Sequence, residues 1–407
     1  MSADKGHSVS TTSPLRGKNV LLGVTGSIAA FKVAGWIHAL TAQSVGVTVM
    51  MTGAAERFVS SLTFGALSGN TVYRDMFDEE PEKLMAHITL SREADVILIA
   101  PATAHTMARL AHGMADDLLS TVVLAAKIPV VICPAMNTNM LSHPATRQNL
   151  ERLQGLGYQV VPPDSGNLAC GEEGAGRLPE WEGVYEKLVS LFCPQDLVGK
   201  KILITAGPTR EPLDPVRFLS NRSSGKMGHA LARTAARRGA EVVLISGPVA
   251  LAAPCFVTTL QVTTALEMRE HVLQQSRDAD IIVKAAAVAD FRPKNYQKQK
   301  IKKNGENRQI ALKENPDILA ELGKNRRAGC VLVGFAAESR NHEKEGRNKL
   351  KRKNVDLIVV NDILSPTTGF DVETNQVTLV DKSGSLQLPL LSKVDTANRI
   401  WDHILTL

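Results

Sequence analysis

The chain has 407 residues, 44% hydrophobic and 22% charged, with a formal net charge of +6. That length exceeds what one hydrophobic core usually serves, and the composition is that of an ordinary globular protein, so two domains are expected. No run of about 18 apolar residues occurs, which argues against a membrane span. The five cysteines (Cys133, Cys170, Cys193, Cys255 and Cys330) form no C-x-x-C pair, which argues against a disulfide framework or structural zinc and fits a reducing cytoplasm.

In chain order, residues 1–17 are polar, lack the apolar core of a secretory signal, and read as a disordered tail. Between 18 and 190, short apolar runs alternate with helical segments. VLLGV (20–24), VTVMM (47–51), VILIA (96–100), PVVIC (129–133) and YQVV (158–161) have the pattern of parallel strands covered on both faces. Ala30, Val33, Ile37 and Leu40 recur at helical spacing and mark one buried face. Residues 191–199 read as a linker. A second domain, 200–407, repeats the pattern with KILIT, EVVLIS, IIVKAAA, CVLVG and DLIVV, and QVTLV and LQLPL read as an antiparallel pair. The expected fold class is α/β, with two doubly wound Rossmann- or flavodoxin-like sheets in tandem.

The first strand runs into Gly23-Val-Thr-Gly26-Ser27 and a helix start. Free N–H groups and the helix dipole favour an anion there. The turn is not G-x-G-x-x-G, and the second strand ends VMMTG without the acid that would hold a ribose, so NAD is disfavoured. A mononucleotide phosphate such as that of FMN fits, and so does a plain tight turn. His87, within LMAHITL, reads as a core or capping histidine or as a catalyst. Asn137 follows a strand end, where it could serve a turn or a ligand. Cys170 sits in the glycine-rich stretch DSGNLACGEEGAGR, which would present its thiol on a loop. Gly166, Gly171, Gly174 and Gly176 would let that loop fold over a site.

Together GVTGSIAAFK, AHITL, APATA, PAMN and DSGNLACGEEGAGR resemble the flavin-dependent phosphopantothenoylcysteine decarboxylases, over nearly all of 18–190. The resemblance implies FMN near Gly26, Ser27, Thr52, Ala102 and Thr103. It makes His87 an active-site histidine, Asn137 the partner of the substrate carboxylate and Cys170 a proton donor. The flavin would oxidise the substrate thiol first, so that CO2 leaves beside an electron sink. His105 departs from the family, which more often has Asp or Asn after APATA.

In the second half, the loop 220–228 is not a P-loop, because Met227 stands where Ser or Thr is required. The second strand there ends LISGP, again without an acid. Ser223, Ser224 and Gly225 before a helix faced by Met227, Leu231 and Ala235 read as a phosphate cradle or as a simple cap. Asp290, just past a strand, suits a metal or ribose contact or a turn. The positive charge is local: residues 292–303 carry six cations and no acid, and residues 340–353 carry seven cations and two acids. Nucleic acid is disfavoured because Tyr296 is the one aromatic in those patches, so stacking platforms are missing. A triphosphate or solvated helix faces account for them.

AGPTREPLDPVRFLSNRSSGKMG, AAAVADFRPK, KIKK, ENPDIL, GFAAE and KNVDLIVVND are similar to the phosphopantothenate–cysteine ligases, over about 200–370. That similarity implies CTP with Mg2+, the metal at Asp290. Ser223, Ser224, Gly225, Ala286, Asp290, Lys300, Asn315, Pro316, Asp317, Phe335, Lys349 and Lys353 would bind the nucleotide, and Asn221 would act on an acyl-cytidylate. Both resemblances imply a bifunctional coenzyme A biosynthesis enzyme using 4′-phosphopantothenate, L-cysteine and CTP, without nucleic-acid or membrane partners, and assembling as a homo-oligomer. A flavin oxidoreductase without ligase activity and a basic nucleic-acid-binding scaffold are the rival readings.

Overall fold

A computed structural model describes residues 13–77, 85–169, 171–302, 309–338, 342–362 and 372–407. The chain divides into two compact units that meet in sequence between Cys193 and Pro194.

The first unit contains β1 (Asn19–Val24), α1 (Ala30–Thr41), β2 (Gly46–Met51), α2 (Ser61–Ser68), β3 (Val72–Tyr73) and α3 (Ala86–Glu93). β4 (Val96–Ala102), α4 (Ala104–His112), α5 (Leu118–Ala125), β5 (Val130–Pro134), α6 (Thr138–Ser142), α7 (Pro144–Gly155) and β6 (Gln159–Val160) follow. A hairpin, β7 (Asp164–Asn167) and β8 (Glu173–Arg177), precedes α8 (Trp181–Leu191). The six-stranded sheet has the order β3-β2-β1-β4-β5-β6, all parallel. Alternation along β1 sends Val20, Leu22 and Val24 into one core and Leu21 into the other. The sheet is therefore buried on both faces, as its continuous apolar runs require. Ala30, Val33, Ile37 and Leu40 are all buried along α1.

The second unit opens with β9 (Lys201–Ala206), a short pair β10 (Arg210–Pro212) and β11 (Phe218–Ser220), α9 (Lys226–Arg237), β12 (Glu241–Ser246), β13 (Thr258–Gln261) and α10 (Ala265–Gln275). It continues through β14 (Ile281–Lys284), the pair β15 (Phe291–Pro293) and β16 (Leu312–Glu314), α11 (Ile318–Asn325), β17 (Val331–Glu338), α12 (His342–Lys353) and β18 (Leu357–Asp362). β19 (Thr374–Asn375), β20 (Val377–Asp381), β21 (Ser385–Gln387), β22 (Leu391–Ser392) and α13 (Lys393–Ile404) complete it. The main sheet runs β13-β12-β9-β14-β17-β18-β20-β21, parallel except for its last two strands. β20 and β21 are the antiparallel pair expected from QVTLV and LQLPL. Trp401 of α13 is fully buried against α9, and its indole N–H donates to the Leu231 carbonyl (3.2 Å) and the Thr234 hydroxyl (2.9 Å).

Three expectations need correction. The tail was expected to extend to residue 17, yet Leu15 is fully buried in the first core and Ser13 hydrogen-bonds Tyr185 (2.9 Å). One apolar side chain and one hydroxyl are enough to dock this segment. Leu197, inside the expected linker, is fully buried in the second core. The strand read as IIVKAAA stops at Lys284, because the Ala286 amide turns to the Thr205 hydroxyl (3.2 Å) and the Ala287 amide to the Gly207 carbonyl (2.9 Å). No helix among the described residues is long and apolar enough to cross a membrane.

Candidate active sites at the two sheet edges

Open parallel sheets bind ligands beyond the carboxyl ends of their strands. In the first unit that edge is tied together by one buried hydroxyl. Thr25 donates to the Pro101 carbonyl (2.6 Å) and accepts from the Thr103 amide (3.1 Å), which joins the end of β1 to the end of β4. Thr52 extends β2, its amide donating to the Val24 carbonyl (3.1 Å). Gly26 passes so close to the next loop that a Cβ there would meet the Ala54 Cβ at 2.5 Å. Thr103 caps α4 by accepting from the Thr106 amide (3.3 Å), and Ala102 is buried beside it. Helix α1 has Ala29 at its N-cap and no side-chain cap. The Ala30 amide donates to the Ser27 carbonyl (3.0 Å) and the Lys32 amide to the Ala29 carbonyl (3.1 Å), and the rest of the first turn with the helix dipole suits a phosphate. With the hydroxyls of Ser27, Thr52 and Thr103 and the exposed apolar side chains of Ile28 and Phe31 nearby, this donor set fits a flavin mononucleotide.

His87 is half-buried in the first turn of α3. The far end of that helix lies at the strand starts, where the Asn19 side-chain amide donates to the Glu93 carbonyl (3.3 Å). The first turn therefore points toward the ligand edge. Asn137 is the N-cap of α6: its carbonyl oxygen accepts from the Asn139 amide (2.8 Å) and its NH2 donates to Glu172 (2.8 Å). Glu172 lies at the tip of the β7–β8 hairpin. Cys170, in the same tip, is outside the described residues.

The expectation that the hairpin glycines act as hinges needs correction at Gly174 and Gly176, which have a packing role. A Cβ on Gly176, whose φ is +134°, would meet the Met136 carbonyl oxygen at 2.1 Å, and one on Gly174 would meet the Thr138 hydroxyl at 2.4 Å. Their lack of side chains lets β8 lie directly on the 136–138 turn. There the Met136 amide donates to the Gly176 carbonyl (2.9 Å) and the Thr138 hydroxyl to the Ala175 carbonyl (2.8 Å).

The second unit has an open cleft of about 980 Å³ at the corresponding edge. It straddles the sheet. On the α9 side lie Asn221, Ser223, Ser224 and Gly225. Gly225 opens α9 in the left-handed conformation with no side-chain cap, which leaves first-turn donors for an anion. Asn221 is exposed, and its NH2 donates to the Val288 carbonyl (3.0 Å), which holds the side chain over the strand end. On the α11–α12 side, Asn315 is fixed by its NH2 donating to the Ala289 carbonyl (2.8 Å) and by Arg292 donating to its oxygen (2.7 Å). Pro316 then leads into α11, which Asp317 caps by accepting from the Ala320 amide (2.9 Å). The other Asp317 oxygen pairs with Lys353, and Lys349 donates to the Phe335 carbonyl (2.8 Å). Burial works against ionisation of the Asp317 carboxyl, but Lys353 and the Ala320 amide outweigh it and hold the group below its ordinary value.

The cleft thus gathers the expected Asn221, Ser223, Ser224, Gly225, Ala286, Asp290, Asn315, Pro316, Asp317, Phe335, Lys349 and Lys353 from distant stretches of chain. Lys300 is not among its lining residues. It is exposed, and the neighbouring Ile301 is tied elsewhere: its amide donates to Asp214 (3.1 Å) and its carbonyl accepts from Arg217 (2.7 Å). Among the described residues no group of three or more His, Cys, Asp or Glu could hold a metal. Asp290 alone fits only a cation completed by phosphate oxygens and water, as Mg2+ commonly is. Sequence reasoning missed Lys284 and Asn361, which carry buried polar atoms without partners among the described residues and line the cleft. An ionisable residue inside the apolar run IIVKAAA was the available signal for Lys284.

Two doubly wound units, each with a polar site at its strand ends, define a two-site α/β enzyme. Residues 8–193 match the family model described as "Flavoprotein", and residues 197–407 match "DNA/pantothenate metabolism flavoprotein C-terminal domain". The chain is 46% identical to the coenzyme A biosynthesis bifunctional protein CoaBC of Bacillus subtilis, across 97% of this chain and 98% of that one. It is 44% identical to the protein of the same name from Escherichia coli K12, across 96% and 98%. A crystal structure of the C-terminal domain of a CoaBC is 45% identical over 51% of this chain and 95% of that chain, with a TM-score of 0.44. The chain belongs to the family of coenzyme A biosynthesis bifunctional proteins. It is a decarboxylase and a phosphopantothenate–cysteine ligase in one polypeptide, as the two resemblances imply.

Proposed function

We propose that residues 200–407 join L-cysteine to 4′-phosphopantothenate at the expense of CTP, and that residues 18–190 decarboxylate the product to 4′-phosphopantetheine with FMN. The observation that carries the ligase reading is the convergence of Asn221, the Asn315–Asp317 segment, Phe335, Lys349 and Lys353 on one cleft beside an uncapped helix. A carboxylate is a poor acyl donor, so activation as an acyl-cytidylate precedes attack by the cysteine amine. Asn221, held over the strand end, orients the activated carbonyl or holds its developing negative charge. Lys349 and Lys353 offset charge on the phosphates. Asp290 would help to hold Mg2+, which would supply further positive charge there.

In the first unit, the uncapped start of α1 and the hydroxyls of Ser27, Thr52 and Thr103 hold the FMN phosphate. Bound FMN supplies the electron sink for CO2 loss. Asn137, braced by Glu172, holds the substrate carboxylate, His87 faces the same edge, and Cys170 delivers a proton.

Purified protein tests the reading. CTP and 4′-phosphopantothenate should release pyrophosphate in a single burst, continued turnover with release of CMP should also require cysteine, and a flavin absorbance should persist after desalting. Equal turnover with ATP, or sustained turnover without cysteine, rejects the ligase assignment. Cys170→Ser should stall decarboxylation after CO2 loss while leaving ligation intact.

A further inference from the structure

Lys284 ends β14, the strand next to the central β9. Side chains alternate along a strand, and Ile282 packs with Met268, Val272, Ile318 and Leu322. Lys284 therefore projects to the same face, toward α10 and α11, at the lip of the cleft it helps to line. The residue is only 7% exposed, and its side-chain nitrogen has no hydrogen-bond partner among the described residues. A buried charge without a partner is strongly unfavourable, and even a buried neutral amine loses its hydrogen bonds to water. Something that enters the cleft must complete this group, or the chain carries the penalty for nothing.

The charged groups on that side are Asp317 at the start of α11, Lys349, Arg352 and Lys353 on α12, and Asp290 and Glu314 in the adjoining segments. Arg222, Lys226 and Lys393 line the other parts of the cleft. Asp317 is the acid whose charge acts on Lys284, but its oxygens already serve Lys353 and the Ala320 amide. The wall therefore carries more cations than acids, and among the described residues no acceptor is aimed at Lys284. An anion suits it.

We propose that Lys284 is a proton-coupled donor to the bound nucleotide: its burial without a partner disfavours the ammonium form in the empty cleft, and it takes up a proton as an anionic oxygen of the nucleotide arrives, so that binding is tied to pH. This rests on the nucleotide reading above and adds a residue and a regulation to it. Burial, only partly opposed by Asp317, pushes the Lys284 amine down to about 7. A neighbouring phosphate would move it back up. Linkage then requires binding to weaken as pH rises above about 7, by a factor approaching ten per pH unit for one proton taken up.

The test is calorimetric titration of CTP into the full-length protein between pH 7 and 9, in two buffers of unlike ionisation enthalpy. Wild type should take up a fraction of a proton per CTP and lose affinity with rising pH. Lys284→Met should still bind CTP but show less uptake and a shallower pH slope. The terminal phosphate of CTP titrates in the same range, so the difference between the two proteins is the readout. Lys284→Gln serves the same comparison if Met is not tolerated. A neutral variant with the uptake and slope of wild type overturns the proposal. Failure of wild type to bind CTP at any pH overturns the nucleotide reading itself, and this proposal with it.

Discussion

The two sheet edges differ in how completely they satisfy themselves. In the first unit, Thr25, Thr103 and Asn137 each hold polar partners, and a hairpin lies against the edge through Gly174 and Gly176. In the second, the cleft is open, and all four buried polar side-chain atoms found without partners among the described residues (in His229, Thr259, Lys284 and Asn361) lie in this unit. Two of those four face the cleft. The first edge is preassembled by packing. The second is left incomplete and is finished by what binds. The difference fits the roles proposed above, a retained cofactor at the first edge and a nucleotide taken and released at the second.

Asn221→Ala gives the largest expected effect. Losing a positioned amide should lower ligation roughly 100-fold or more while leaving decarboxylation unchanged, as assayed by separate product formation. An equal fall in both activities would mean that the edges are not independent. Gly176→Ala probes the packed edge. The new methyl would strike the Met136 carbonyl and lift the hairpin from Asn137, which should slow decarboxylation about 100-fold with ligation intact. Normal decarboxylation would show that the edge does not depend on that packing.

Asp317→Ala should be milder. It removes a helix cap worth about 1 kcal/mol and the partner of Lys353. A Tm lower by a few degrees and weaker CTP binding are expected. The last effect is read on stability rather than on turnover. The Lys284 amine titrates near 7 folded and near 10.5 unfolded, so between those values the unfolded chain binds more protons and wild-type stability rises with pH. Lys284→Met should therefore raise Tm most at or below pH 7, and the gain should fade toward pH 10.5 in thermal melts. A gain independent of pH would show that the amine is not buried as described.

Much of the fold was legible because apolar runs report burial directly. VILIA and EVVLIS could only be strands covered on both faces, and the 30-33-37-40 spacing marked the inner face of α1. The site was partly legible. Asn221, Asn315 and Asp317 come from segments nearly a hundred residues apart, and it was motif likeness, not spacing, that grouped them. What escaped depends on three-dimensional placement. Glycines at 174 and 176 look the same in sequence whether they bend a loop or permit a close approach. Lys300 has the right charge, but its neighbour is tied to Asp214 and Arg217. Lys284 was hidden because strand patterning says which side chains are inside, not whether an inside amine has a partner.

The burial of Trp401 sets a timetable for synthesis. Its indole closes on Leu231 and Thr234, about 170 positions earlier in the chain. The strands of the first unit all leave the ribosome well before α13 is made, so that unit can fold while translation continues. The ligase core must wait for α13 to cover α9. A stalled or prematurely ended chain would therefore carry a folded decarboxylase beside an unfinished ligase with exposed apolar surface, and quality-control proteases should clear that species first.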